Sequence, residues 1–339
     1  MKQAVMTAPG QIEIRKVIKP VPGPDEVLLR IRRIGVCGSD IHVYHGKHPY
    51  TDYPVIQGHE FSATLVAVGD EVKDLQPRLK VTSLPQIYCG ECAPCKRGDY
   101  NICNNLKVQG FQTSGCAQEF YVTKAEKIVP LPESFSYEMG ALVEPLSVAV
   151  HAVHRVGSLQ DHHVVVLGAG PIGNMVAQVA CSEGAYVLIT DISEYRLNIA
   201  QKCGLEMISN ANSENLRDAS NRFFKREDFD IAFECVGVEA TISEVIPTIQ
   251  KGGDIIIVGV FSEKPKIDLG LVQDRELNIH GTLMYKKEDY LKAVELIYTG
   301  KVLTEPLISK HFSLDNYLKA YQYIDDLGDK SMKVIIDVA

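Results

Sequence analysis

No stretch of this 339-residue chain approaches the roughly 20 uncharged apolar residues that a membrane-spanning helix requires. Positive charge is also scarce. Lys and Arg number 35 against 43 Asp and Glu, a net charge of −8, which argues against a general nucleic-acid binder. The opening "MKQAVMTAPGQIEIRK" has no basic stretch leading into an apolar run, so no secretory signal is expected there. Low-complexity tracts and internal repeats are missing too, leaving an ordinary globular composition, 45% hydrophobic and 23% charged. These absences predict a cytoplasmic protein with neither membrane nor nucleic acid as partner. Its length is more than one core usually supports, so two domains are expected.

Against that background the cysteines stand out. Residues 89–103 read "CGECAPCKRGDYNIC", four of the nine cysteines in the spacing C-x2-C-x2-C-x7-C. In a reducing compartment, clustered thiols serve as metal ligands or catalysts more often than as disulfides. Bridging Cys89 to Cys92, or Cys92 to Cys95, would close very small loops and constrain little chain. Four thiolates around one zinc ion, with Gly90 and Gly98 allowing tight turns, are the better solution, and such a closed site is structural. A four-cysteine iron–sulfur cluster is the alternative.

The chemistry lies elsewhere. Residues 164–173, "VVVLGAGPIG", join an apolar β-run to Gly168, Gly170 and Gly173 in a G-x-G-x-x-G pattern, with Pro171 where a first helical turn accepts it. An amphipathic helix follows, and a second strand, "AYVLIT", leads to Asp191, 18 residues after Gly173. In this layout a pyrophosphate sits on the helix N-terminus and an acid takes the ribose hydroxyls. Asp191 would repel a 2′-phosphate, which favours NAD over NADP, while Arg196 nearby speaks for NADP. Candidate cofactor contacts are Gly168, Gly170, Pro171, Ile172, Gly173, Asp191, Arg196, Gly237 and Gly259. Alternating strands and helices continue through "FDIAFECVG" and "GDIIIVGV", the rhythm of a doubly wound parallel sheet. The first 150 residues instead carry short β-rich runs punctuated by Pro and Gly, as in a mostly antiparallel barrel.

In that first part, "GVCGSDIHVYH" (35–45), "GHE" (58–60) and "LVEPLSVAVHA" (142–152) bring Cys37, His59 and the acids Glu60 and Glu144 into play. One sulfur, one nitrogen and one oxygen suit a catalytic zinc that keeps a position open. Singly, Cys37 reads as a buried apolar residue, His59 as a satisfied core histidine and Glu144 as an ion-pair partner. Their joint appearance beside a four-cysteine cluster and a nucleotide fold favours the metal.

Taken together, these motifs resemble the zinc-dependent medium-chain dehydrogenase/reductases, in the branch holding sorbitol and threonine dehydrogenases. "GVCGSDIHVY", "GHE", the four-cysteine lobe, "EPLSVAVHA", "GAGPIG" and "ECVG" occur in family order over essentially the whole chain. The resemblance implies an α/β protein. Residues 1–150 would form a GroES-like β-barrel catalytic domain carrying the zinc lobe (89–103), and 151–285 a Rossmann domain. Residues 286–339 would return to complete the catalytic domain. It further implies two zinc ions per chain. Cys37 and His59 would hold the catalytic one, with Glu60 or Glu144 alongside, unranked. Cys89, Cys92, Cys95 and Cys103 would hold the structural one. Ser39 matches a hydroxyl that bonds the reacting oxygen, and His42 the next group of a proton relay, against the plainer reading of a surface histidine. Asp40 would orient the turn, and Cys116, Cys181, Cys203 and Cys235 would be packing residues.

The implied reaction moves a hydride from a secondary alcohol of a polyol, sugar alcohol or sugar acid to NAD, giving a ketone. Two departures bear on the substrate. Relatives often carry an arginine where "HGTLMYKKEDY" has Met284, and a thioether cannot pair a carboxylate or fork onto two hydroxyls. The loop 44–54 supplies Lys47 and His48, which suit an acidic substrate or are simply solvated. A threonine-type or butanediol-type dehydrogenase is the alternative within enzymes. A nucleotide-binding sensor or structural protein is the alternative outside them, opposed by the intact open metal set. Many relatives are homodimers or homotetramers.

Overall fold

The computed structural model describes residues 1–338, which fall into two compact units. The first holds 1–145, 286–298 and 308–338; the second holds 146–285 and 299–307. Residues 299–307 thus belong with the second unit, although the sequence suggested that the whole C-terminal segment returns to the first.

In the first unit β1 (Lys2–Ala8) and β2 (Gln11–Lys16) form a hairpin. β3 (Glu26–Gly35) is followed by the short helix α1 (Gly38–Tyr44), β4 (Glu60–Val68), β5 (Lys80–Ser83) and β6 (Gln86–Ile87). Then come α2 (Ala93–Lys96), β7 (Lys107–Val108), β8 (Phe120–Lys124), β9 (Ile128–Pro130) and α3 (Tyr137–Ala141). α4 (Val143–Val153) begins in this unit and ends in the second. The main sheet runs β16 (Ile308–Ser313), β17 (Lys333–Asp337), β3, β4, β5, β9, with β8 also on β3; every pair is antiparallel except β16–β17.

Alternation explains which face is buried. Val27, Leu29 and Ile31 in β3 and Phe61, Ala63 and Leu65 in β4 point into one core, with Tyr317 and Tyr321 of α11 (Tyr317–Leu327) against it. Two registers matter below: Gly35 lies opposite Glu60 on one side and Ile335 on the other.

The second unit is a six-stranded, wholly parallel sheet. Its strands are β10 (His163–Leu167), β11 (Tyr186–Asp191), β12 (Met207–Asn210), β13 (Ile231–Glu234), β14 (Asp254–Ile257) and β15 (Asn278–Gly281). They lie in the order β12-β11-β10-β13-β14-β15. Helices α5 (Pro171–Ser182), α6 (Glu194–Lys202), α7 (Leu216–Phe224), α8 (Glu239–Thr248) and α9 (Leu269–Asp274) alternate with the strands; α10 (Lys287–Tyr298), next in the chain after β15, belongs to the first unit. Val164, Val165 and Val166 in β10 are all fully buried, the continuous β-branched run expected of a central parallel strand. Strand order reverses between β10 and β13, so the carboxyl ends of these two strands form the switch point where such sheets bind ligands.

Candidate active site

Cys37 lies two residues past the end of β3 at the N-cap of α1, and Asp40 shapes this turn by accepting the Cys37 backbone N–H at 3.0 Å. β4 opens next to it, which brings in His59 and Glu60. The Cys37 sulfur, a His59 ring nitrogen and a Glu60 carboxylate oxygen lie within 4.8 Å of one another. His59 and Glu60 are buried, and His59 Nδ1 and Glu60 Oε2 have no hydrogen-bond partner. Buried polar atoms are nearly always paired, so an unpartnered carboxylate oxygen beside a thiol and an imidazole is a donor set that could hold a cation.

Other residues frame this trio. Asp40, fully buried, faces His59 Nδ1 at 3.8 Å. Burial raises the Asp40 carboxyl above its ordinary value. At His59, burial opposes the charged ring, but Asp40, the Cys37 sulfur and Glu144 outweigh it and leave the imidazole well above its usual range. Gln57 donates to Asp40 Oδ1 at 3.2 Å and accepts from the Tyr321 hydroxyl at 2.9 Å. Lys333 reaches Glu60 Oε1 in a buried ion pair. Phe111 packs on His59 and stacks on His48, with centroids 5.0 and 4.8 Å apart.

The sequence candidates divide as follows. Glu60 joins the trio, whereas Glu144, buried at the start of α4, lies outside it. Ser39 is half-buried and His42 exposed, both on α1. His48 accepts or donates a bond with Thr51 at 2.8 Å, and burial, then His42 and His59, hold it below its ordinary value. A neutral His48 is a poor anchor for an acidic substrate. Gln57, Phe111, Tyr321 and Lys333 escaped notice. Only Gln57 carried a local signal, as an amide two residues before a candidate ligand; the others come from distant sequence.

The second constellation is intact as a cluster. The sulfurs of Cys89, Cys92, Cys95 and Cys103 lie within 4.8 Å of one another. Cys103 Sγ is 3.5 Å from Cys89 Sγ and 3.8 Å from Cys92 Sγ, far beyond a disulfide bond of about 2.05 Å. Backbone N–H groups of Asn104 and Cys95 hold Cys92 down to about 6, while desolvation and the Cys92 sulfur push Cys95 up to about 12. A divalent cation would let all four ionise together. A third group, Glu138, His311 and Asp337, already has its cation: Arg33 Nε sits 2.6 Å from Glu138 and 2.9 Å from Asp337. Among the remaining cysteines Cys116 and Cys203 are buried, but Cys181 is exposed on the solvent side of the last turn of α5 and is no packing residue.

The nucleotide candidates gather at the switch point. Gly168 has φ +96°, and a Cβ there would press on Val236 and Cys235. A Cβ on Gly173 would overlap the Gly168 carbonyl, whereas one on Gly170 would meet nothing nearer than Arg196 Nη1 at 3.8 Å. The middle glycine therefore faces open space at the N-terminus of α5, which has Pro171 at its start and no side-chain cap. Asp191 ends β11, accepting the Ala169 N–H at 2.7 Å and the Ser193 N–H at 2.8 Å, with Arg196 Nη1 4.0 Å away. Gly237 and Gly259, from the loops after β13 and β14, touch each other, and Glu234 accepts the Val236 and Gly237 N–H groups.

Comparison with known proteins places this geometry. Residues 23–133 match the alcohol dehydrogenase GroES-like domain, and residues 171–299 the zinc-binding dehydrogenase domain. The chain is similar to 2-dehydro-3-deoxy-L-galactonate 5-dehydrogenase from Pseudoalteromonas atlantica, 34% identical over 93% of this chain and 92% of that one. It is also similar to D-arabitol-phosphate dehydrogenase from Enterococcus avium, 31% identical over 99% and 97%. Among solved structures, a zinc-binding dehydrogenase from Sinorhizobium meliloti bound to NADP is 28% identical, with a TM-score of 0.90 over 99% of both chains.

Proposed function

We propose, from the premise that this chain belongs to the zinc-dependent alcohol dehydrogenase superfamily, that Cys37, His59 and Glu60 hold its catalytic zinc. The chain is a zinc-dependent oxidoreductase of secondary alcohols that uses a nicotinamide dinucleotide. Its own substrate is read here as a polyol, sugar alcohol or sugar acid, oxidised to a ketone. The observation that carries the site is the meeting of the Cys37 sulfur, a His59 ring nitrogen and a Glu60 carboxylate oxygen within 4.8 Å of one another, with Glu60 Oε2 buried and without a hydrogen-bond partner. One sulfur, one nitrogen and one oxygen leave the open position that a catalytic zinc needs. The four thiols at 89–103 form the closed set of a structural zinc.

When bound, zinc acts as a Lewis acid that lowers the pKa of an alcohol at its open position. Asp40 orients His59 from behind. Ser39, half-buried two residues from Cys37, hydrogen-bonds the reacting oxygen and takes its proton; exposed His42 passes that proton to water. Ser39→Ala should lower kcat about a hundredfold or more while both zinc ions are retained. A bound nicotinamide ring would supply the hydride acceptor.

NAD is the better fit to Asp191, whose carboxylate, fixed by two backbone N–H groups, still has lone pairs for ribose hydroxyls and repels a 2′-phosphate. The relatives point toward sugar derivatives, while Met284 stands where relatives often carry an arginine. A threonine-type or butanediol-type substrate is the second reading; Met284 weakens the threonine and polyol assignments alike, since a thioether cannot pair a carboxylate or fork onto two hydroxyls, and leaves room for a smaller or less polar diol. Nine free cysteines suit a reducing, cytoplasmic setting, and the open edge of β15 suits a homodimer or homotetramer.

Initial rates of NAD and NADP reduction by zinc-replete protein test the reading. The panel would hold sorbitol, xylitol, arabitol phosphate, aldonates, threonine and 2,3-butanediol. Turnover confined to threonine or butanediol overturns the sugar-alcohol assignment, and equal rates with NADP overturn the choice of NAD.

A further inference from the structure

Glu60 and Lys333 are separated by 273 positions yet form a buried ion pair, and neither is more than 3% exposed. Three adjacent strands explain how. Gly35 of β3 lies opposite Glu60 of β4 on one side and opposite Ile335 of β17 on the other. Lys333 is two residues from Ile335 and so shares its face. The carboxylate therefore has to cross an entire strand to meet the ammonium, and it crosses at a glycine. A Cβ on Gly35 would overlap Glu60 Oε2.

The two carboxylate oxygens have unequal surroundings. Oε1 is taken by Lys333, and Oε2 is buried with no hydrogen-bond partner, on the side group that shares the Cys37–His59 cluster. A buried carboxylate without a counter-charge is costly, so it would swing or protonate if the ammonium were removed. We propose that Lys333 is a positioning residue for the catalytic metal: it holds Glu60 Oε1 so that Oε2 alone is offered to the site, and Gly35 keeps clear the space that Oε2 needs. This rests on the reading of Cys37, His59 and Glu60 as zinc ligands.

The test uses the zinc-loaded full chain, read by chelator competition and, after exchange of the catalytic zinc for cobalt, by the visible absorption of the metal. Lys333→Met should weaken the catalytic zinc about 10- to 100-fold and shift the cobalt bands, with the zinc at 89–103 unmoved as an internal control. Lys333→Arg should recover most of the affinity. In a Glu60→Gln background, adding Lys333→Met should change affinity less than twofold, because the ion pair is already gone. Parental affinity and bands in Lys333→Met, or an equal loss in both backgrounds, overturn the inference. Should Lys333→Met not fold, Gly35→Ala decides, since it disturbs the same carboxylate with Lys333 in place: shifted bands support the inference and unchanged bands overturn it. A parent protein holding a single zinc overturns the site reading and this inference together; two zincs with an indifferent Lys333 overturn this inference alone.

Discussion

Asp191 is proposed to serve two tasks with one carboxylate. Its oxygens accept the Ala169 and Ser193 N–H groups, which fixes the side chain at the end of β11. An ionised carboxylate has about four acceptor sites, so two remain for a ribose. Asp191→Ala should therefore relax the NAD preference and raise KM for NAD about tenfold to a hundredfold, measured against NADP in parallel; an unchanged NAD/NADP ratio would show that another group reads the ribose. Cys92 offers a matching test at the lobe. Its thiol is held down to about 6 by backbone N–H groups, which favours the thiolate that a metal requires. Cys92→Ser should release one zinc per chain and leave the other, as metal analysis after dialysis would show.

At the level of elements, the start of α5 separates two uses of glycine. A side chain on Gly173 would collide with the Gly168 backbone, while one on Gly170 would enter open space, where the proposed pyrophosphate would approach. Gly170→Ala should thus leave the melting temperature within a degree or two and raise KM for NAD. Gly173→Ala should lower both stability and cofactor affinity. Equal effects of the two substitutions would remove the distinction. α1 is another element whose ends matter: Cys37 at its cap and Ser39 and His42 along it come from one seven-residue helix, so the proposed ligand and relay move as one piece.

Across the molecule, the cysteine lobe is fastened within the first unit. Lys286 reaches Asp99 at 2.9 Å, and the Tyr100 hydroxyl accepts the Lys287 N–H, so the loop around the four sulfurs is tied to the start of α10. Stripping both metals should lower the melting temperature by roughly 10 °C, since a tightly held ligand contributes about 4 kcal/mol at a thousandfold excess over its Kd. Lys286→Ala alone should cost under about 1 kcal/mol, as exposed pairs do. Two zinc ions per chain are expected; one would delete a site.

Sequence determined the parts that are local. G-x-G-x-x-G between a strand and a helix is legible because the pattern and both flanking elements are contiguous in the chain, and four thiols in fifteen residues are a cluster in any fold. The alternation of strands and helices gave the parallel sheet for the same reason, as did the β-rich character of the first part. Cys37, His59 and Glu60 were nameable as ligand types, but their meeting depends on β3 pairing with β4 in one register, Gly35 opposite Glu60. The rank of Glu60 above Glu144 within that cluster, the support of Asp40 by Gln57 and Tyr321, and the grip of Lys333 on Glu60 were decided by tertiary structure alone. These partners lie up to 273 residues apart, and no periodicity or spacing encodes which strands will lie side by side. That choice is made by burial of apolar faces over the whole sheet, and the polar partners arrive with it.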